Sequence, residues 1–188
     1  MKKIIAIMLS LVMLMGFAAC TQKNEEPVSG GIDYGNIDEV TAFLTSLPNE
    51  VGPETSGIVV NAPERIYNED LWDAFVKQTS EGKPAEVVIA AHDMYGNVIY
   101  TLLYFDGENY TTTSDWSRNE YMEDDFIRTY TAKHLYDITW DEEEGGETFN
   151  YRSIFITDGE YEEVTPDIRF DFDHEQVAVW GRGPEGHV

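Results

Sequence analysis

Residues 68–114 read NEDLWDAFVKQTSEGKPAEVVIAAHDMYGNVIYTLLYFDGENYTTTS, and their pattern decides the fold class. Leu71 with Phe75, and Trp72 with Val76, recur at i and i+4, so a helix here carries one apolar stripe and must lie on something. Asn68 stands where a side-chain oxygen accepts from the free N–H groups of a first turn, and Glu69 and Asp70 set negative charge at the positive end of the helix dipole. Gly82 and Pro84 end it, since glycine tolerates a left-handed cap and proline cannot extend the hydrogen-bond ladder. Residues 86–92 and 98–105 are rich in Val, Ile, Leu and Tyr, and the link between them holds Gly96 and Asn97, which predicts a hairpin. Residues 98–105 are apolar on both faces, the mark of a central strand whose second face is covered. Asp106-Gly107 reads as the central pair of a type I′ turn, returning the chain as residues 109–114.

Outward from this nucleus, the N-terminal twenty residues speak about compartment. Lys2 and Lys3 precede a twelve-residue apolar run, residues 4–15, broken only by Ser10 and too short to cross a bilayer. Gly16, Ala18 and Ala19 then lead to Cys20, the one cysteine of the chain. The segment resembles the lipobox of bacterial lipoproteins, with Phe17 in place of the usual leucine. That resemblance implies that residues 1–19 are a signal peptide and that Cys20 becomes a diacylated N-terminus, lipid-anchored on the extracytoplasmic face of the membrane. A single cysteine permits no intramolecular disulfide. Residues 20–31, polar with Pro27 and Gly30-Gly31, read as a flexible tether.

The chain carries a net charge of −24, and −26 without residues 1–19, which hold two lysines and no acid. Such a charge repels nucleic acid and anionic headgroups alike, so no nucleic-acid partner is expected.

Residues 32–188 are expected to form a single globular α+β domain. In it one main helix and a shorter N-terminal helix pack on an antiparallel β-meander sheet, and residues 181–188 fray. The shorter helix places Ile37, Val40, Leu44 and Leu47 on one face and stops at Pro48; that face either roofs the second side of strand 98–105 or belongs to a mobile lid. Residues 57–61 read as a short strand. Residues 126–133 and 135–140 read as one long bent strand, and residues 141–147, DEEEGGE, as an acidic turn from which 148–157 returns. Ile168, Phe170 and Phe172 alternate with charged residues as in a half-buried strand, with 176–180 pairing back on it.

From about residue 57 to 157 the chain resembles a family of uncharacterised lipoproteins of Gram-positive bacteria. The likeness rests on a Val-Val-Asn strand, a helix with Trp72 and Phe75 ending at Gly82-Lys83, a strand pair through Gly96, the Asp106-Gly107 turn and an Asp-x-x-Arg element at Asp115 and Arg118. Asn119 stands where family members carry aspartate, and Ala132 near a position where they often carry cysteine. The resemblance implies architecture and compartment, and assigns no activity.

The polar candidates are Asp115 and Arg118, three residues apart, either a clamp for a ligand carboxylate or sugar hydroxyl or an ion pair fixing a loop. Beside them Trp116 and Tyr121 would make a sugar or peptide platform where exposed. Adjacent carboxylates in 141–147 lack the spacing of a Ca²⁺ loop. Asp171 and Asp173 lie on a strand's outer face, with His174 and Glu175 at the following turn, and the other histidines are scattered, so neither a metal nor a cofactor is expected. The chain has no G-x-S-x-G, H-E-x-x-H or P-loop motif and no catalytic residue is nominated. The leading reading is a membrane-anchored, non-enzymatic binding or accessory domain for an envelope protein, peptide or glycan. The alternatives are an envelope hydrolase working through paired carboxylates and an acidic Ca²⁺-binding surface protein.

Overall fold

A computed structural model describes residues 31–62, 65–93, 95–119, 121, 126–144, 147–159 and 174–182. Over these the chain is α+β and mostly sheet. Helix α1 (Ile37–Ser46) precedes strands β1 (Val59–Ala62) and β2 (Arg65–Tyr67), and helix α2 (Glu69–Ser80) leads into the meander β3 (Ala85–His92), β4 (Val98–Phe105), β5 (Tyr110–Asp115) and β6 (Ile127–Ala132). Strands β7 (His134–Glu144), β8 (Glu147–Thr157) and β9 (His174–Arg182) follow. The first six strands form one sheet in the order β2-β1-β3-β4-β5-β6, and the last three form another, β7-β8-β9.

The expected antiparallel meander holds for β3 to β6 but does not describe the whole sheet. Strand β1 runs parallel to β3, with Val60 opposite Ala90, because the connection between them passes through α2 rather than through a turn. Strand β2, unforeseen in the sequence, hairpins onto β1. The long bent strand divides at Lys133, with β6 ending the first sheet and β7 opening the second.

Strand β4 is central, as its two apolar faces require. On one face Val98, Tyr100 and Leu102 pack with Val60, Val88 and Ala90 beneath Val40 and Leu44 of α1. On the other, Leu103 and Phe105 join Val59, Val87 and Ile89 beneath Trp72 and Phe75 of α2, and Ile154 and Ile156 of β8 close the same cluster. The short helix is therefore a docked roof. The α2 stripe centres on Trp72, Phe75 and Thr79, with Leu71 and Val76 only partly buried at its flanks.

Local chemistry sets the helix ends. Asn36 caps α1 by accepting from the Asp38 N–H at 3.1 Å, while Glu39 reaches back to accept from Asp33 N and Asn36 Nδ2. Asn68 does not cap α2 with its side chain: it sits in the left-handed region at φ 59°, ψ 36°, and its Nδ2 donates to the Thr55 and Ile58 carbonyls, tying the loop before β1 to the helix start. Helix α2 ends as expected, with Gly82 at φ 69° and the Gly82 and Lys83 N–H groups bonded to Thr79 and Gln78 carbonyls, a Schellman motif. In the β4–β5 turn Gly107 has positive φ and Asp106 does not, so the turn is not the expected type I′ with Asp106-Gly107 as its central pair.

Three expectations near the C-terminus change. Asp141 to Glu144 belong to β7 and pair with residues 147–150 rather than forming part of an acidic turn. His174 and Glu175 lie in β9 opposite Thr157 and Ile156, not in a turn, and β9 pairs with β8 and extends through Gly181 and Arg182, inside the expected frayed end. The alternating strand at Ile168, Phe170 and Phe172 lies outside the described residues, as do Asp171, Asp173, Cys20 and the tether up to residue 30.

Truncating a buried leucine costs about 2–5 kcal/mol, whereas trimming a lid that swings in water costs almost nothing. Leu44→Ala is expected to lower unfolding free energy in urea by about as much as Leu103→Ala on the opposite face of β4. A loss for Leu44→Ala below about 0.5 kcal/mol, the range of surface substitutions, would show that α1 does not roof the sheet.

Candidate functional site

The four candidate residues follow one another off the end of β5, yet they face different tasks. Asp115 is fully buried and Arg118 is 11% exposed at its side chain; Nη1 of Arg118 donates to Asp115 Oδ2 at 2.5 Å, and Asp115 Oδ1 accepts from the Ser117 N–H at 2.9 Å. The remaining guanidinium nitrogens turn to α1. Nη2 donates to the carbonyls of Leu44, Thr45 and Leu47 at 3.2, 3.3 and 2.9 Å, and Nε donates to Asn49 Oδ1 at 3.2 Å. The guanidinium carbon lies 4.7 Å from the Tyr100 ring centre, and the Tyr100 hydroxyl donates to the Pro48 carbonyl at 2.7 Å. Burial pushes the Tyr100 phenol up, an effect the Asp115 charge adds to and Arg118 opposes.

This arrangement has a plain physical cause. Helix α1 carries Asp38 and Glu39 in its first turn but no basic residue in its last, so its terminal carbonyls and negative dipole end lack a local partner. Arg118 supplies both donors and charge from across the fold. Every nitrogen of the guanidinium has an internal acceptor, so Asp115 and Arg118 act as the ion-pair alternative foreseen for them.

Trp116 is half-buried at the exit of β5, its backbone N–H donating to the Phe126 carbonyl at 2.7 Å and its ring lying 5.5 Å from the Arg128 guanidinium carbon. Its Nε1, buried, has no hydrogen-bond partner among the described residues, and the same holds of His92 Nδ1 at the end of β3. Tyr121 is 67% exposed and pairs with Tyr95, 59% exposed, at 4.3 Å between ring centres and 37° between planes. Tyr95 was not foreseen as its partner.

A second polar cluster also escaped the sequence. Arg152 donates through Nε and Nη2 to both oxygens of Asp137 at 2.6 Å and through Nη1 to Glu69 Oε1 at 2.8 Å, while Trp72 Nε1 donates to Asp137 Oδ2 at 3.1 Å. The bonds to Asp137 foremost raise the Arg152 pKa, with burial opposing and the Asp137 and Glu69 charges assisting. The cluster pins the start of α2 to the second sheet.

Chemically, these groups bind structure. Among the described residues the displaced carboxyls, Glu81, Asp93 and Asp106, all move downward, the opposite of a general acid poised near neutrality. No group of three or more His, Cys, Asp or Glu among the described residues is arranged to hold a metal ion, and no helix among them is long and apolar enough to cross a membrane. No family model matches the chain, and neither a curated protein nor a solved structure matches it.

Breaking a buried ion pair from one side strands the other charge and costs about 3–5 kcal/mol, whereas replacing both partners with apolar groups is far milder. Arg118→Ala and Asp115→Ala are each expected to lose about that much stability in urea, and Arg118→Met with Asp115→Leu together less than either. Arg118→Lys does not rescue, because a point charge cannot serve a carboxylate and three carbonyls in one plane.

Asp93 offers a pH readout. Burial pushes its carboxyl up, but the Asn97 side chain and the backbone N–H groups of Asn97, Tyr95 and Gly96 outweigh this and hold it below the ordinary range. A depressed folded pKa contributes stability that is complete above the unfolded value of about 3.9 and is lost as pH falls through the folded value. An NMR titration is expected to place the Asp93 midpoint below the usual aspartate range, and Asp93→Asn to flatten the acid limb of stability. A midpoint at the ordinary value would contradict the hydrogen bonding described.

Proposed function

We propose that the protein is an extracytoplasmic lipoprotein, diacylated on Cys20 and held at the cell membrane, whose folded part is a non-enzymatic binding or accessory domain of the cell envelope. One observation carries the reading: a basic start, a short apolar run and small residues delivering the chain's single cysteine at position 20. One acyl chain holds a protein only marginally, whereas two anchor it stably, and residues 20–31 are composed as a tether from that anchor. The likeness to Gram-positive lipoproteins supports the same reading. The chain's charge turns such a domain away from nucleic acid and towards neutral or basic partners. The absence of hydrolase and metal motifs from the sequence weighs for binding over catalysis.

Intact mass of the protein extracted from cell membranes is expected to correspond to a chain beginning at Cys20 and carrying a diacylglyceryl group. A free thiol at that position in cell-derived material would overturn the anchor.

A further inference from the structure

The links 93–97 and 116–126 leave the same end of the first sheet, because His92 pairs with Val98, Tyr100 with Asp115 and Asp115 with Ile127. Exposed apolar surface gathers there. Of the four large hydrophobic side chains exposed among the described residues, Tyr95, Tyr121 and Phe126 belong to these links, and only Ile37 lies elsewhere. Two exposed rings from separate loops lie against one another at 4.3 Å and present aromatic surface to an incoming group. The Tyr95 N–H donates to Asp93 Oδ1 and the Tyr121 N–H to Asn119 Oδ1.

Charge chooses among possible occupants. The chain's net −24 attracts cationic ligands and repels anionic ones, and the Asp93 carboxylate sits in the loop directly before Tyr95. Arg128 already lies over the Trp116 ring at this end, so a guanidinium against an aromatic face is a contact the protein itself makes here. The other nearby guanidinium, Arg118, is turned to α1 and Asp115.

We propose that the Tyr95–Tyr121 pair is the docking point for a basic peptide segment of a partner protein, whose arginine or lysine heads lie against the two rings while the acidic surface steers it in. This rests on the binding-domain reading above and gives it a location and a partner chemistry. The rings supply specificity at short range; the net charge supplies encounter rate and salt dependence.

The test uses the full chain extracted from membranes in neutral detergent and a fluorescein-labelled peptide of alternating glycine and arginine, followed by anisotropy at low salt. Tyr95→Ser with Tyr121→Ser leaves the charge unchanged and is expected to weaken binding about tenfold, the combined loss of two exposed cation–ring contacts. Tyr95→Phe with Tyr121→Phe keeps wild-type affinity, because the ring face and not the hydroxyl makes the contact. Glu143→Gln, on the exposed β7 surface, changes affinity far less than the serine pair. Each variant is compared at unchanged Tm. Equal affinity in the serine pair overturns the proposal, as does loss in the phenylalanine pair or ring-dependent binding of a neutral oligosaccharide in place of the peptide. The mass of the same preparation separates the two readings: acylated protein without ring-dependent peptide binding removes this site and leaves the anchor, and a free Cys20 thiol removes the anchor whatever the peptide does.

Discussion

Strand β4 buries both of its faces, and everything around it follows from the need to cover two sides of one strand. A sheet face left to water would expose Val98, Tyr100 and Leu102 on one side or Leu103 and Phe105 on the other. Covering one large aliphatic side chain is worth roughly 1.5–3 kcal/mol, so either uncovered face would forfeit a large part of a domain's net stability. One helix cannot serve both. The chain therefore spends α1 on one face and α2 on the other, and adds β8 beside α2 where that helix alone does not reach.

Apolar contact brings each helix down but does not fix its end; an arginine from elsewhere in the fold does. Arg118 closes the carbonyl end of α1, whose sequence carries no basic residue of its own, and Arg152 meets Glu69 at the acidic start of α2 while gripping Asp137 on the second sheet. The two contacts differ in kind. Arg118 serves a dipole end and a fully buried carboxyl group, so its loss leaves Asp115 buried without its cation. Arg152, half-covered and shared between two more exposed acids, sits where solvent screens each pair and contributes less per contact.

What the sequence conveyed was local. The α2 stripe, its glycine stop and strands 86–92 and 98–105 each depend on residues within one turn or one hairpin. The parallel pairing of β1 with β3 depends on where α2 packs, and β2 is three residues long beside Pro63, below the reach of any periodic signal. Arg118 was visible as a partner of Asp115, but carbonyls more than seventy positions earlier carry no side-chain signature; the one hint was a helix with acids at its start and no base at its end. Asp137 and Arg152 were within reach. The pairing of β7 with β8 places Asp137 opposite Ile154 and Arg152 opposite Thr139, a diagonal pair of opposite charge. Reading residues 141–144 as loop obscured that symmetry.

Using arginines internally has an outward consequence. The chain has only 12 basic residues against 36 acidic ones, and Arg118 is all but withdrawn from water by its contacts with α1 and Asp115. A buried, paired cation cancels its partner at short range and adds little to the field outside, so the surface presents the uncompensated acids. Beyond a Debye length of about 8 Å at physiological salt that field is screened, so it distinguishes contacting groups only close in. At the end of the first sheet what lies close in is aromatic: Tyr95, Tyr121 and Phe126 at the surface, with the Trp116 ring and its guanidinium neighbour beside them. On the proposed binding role, an anionic surface that concentrates exposed rings at one end would discriminate there by ring-face chemistry, while the rest of the surface would govern how fast partners arrive.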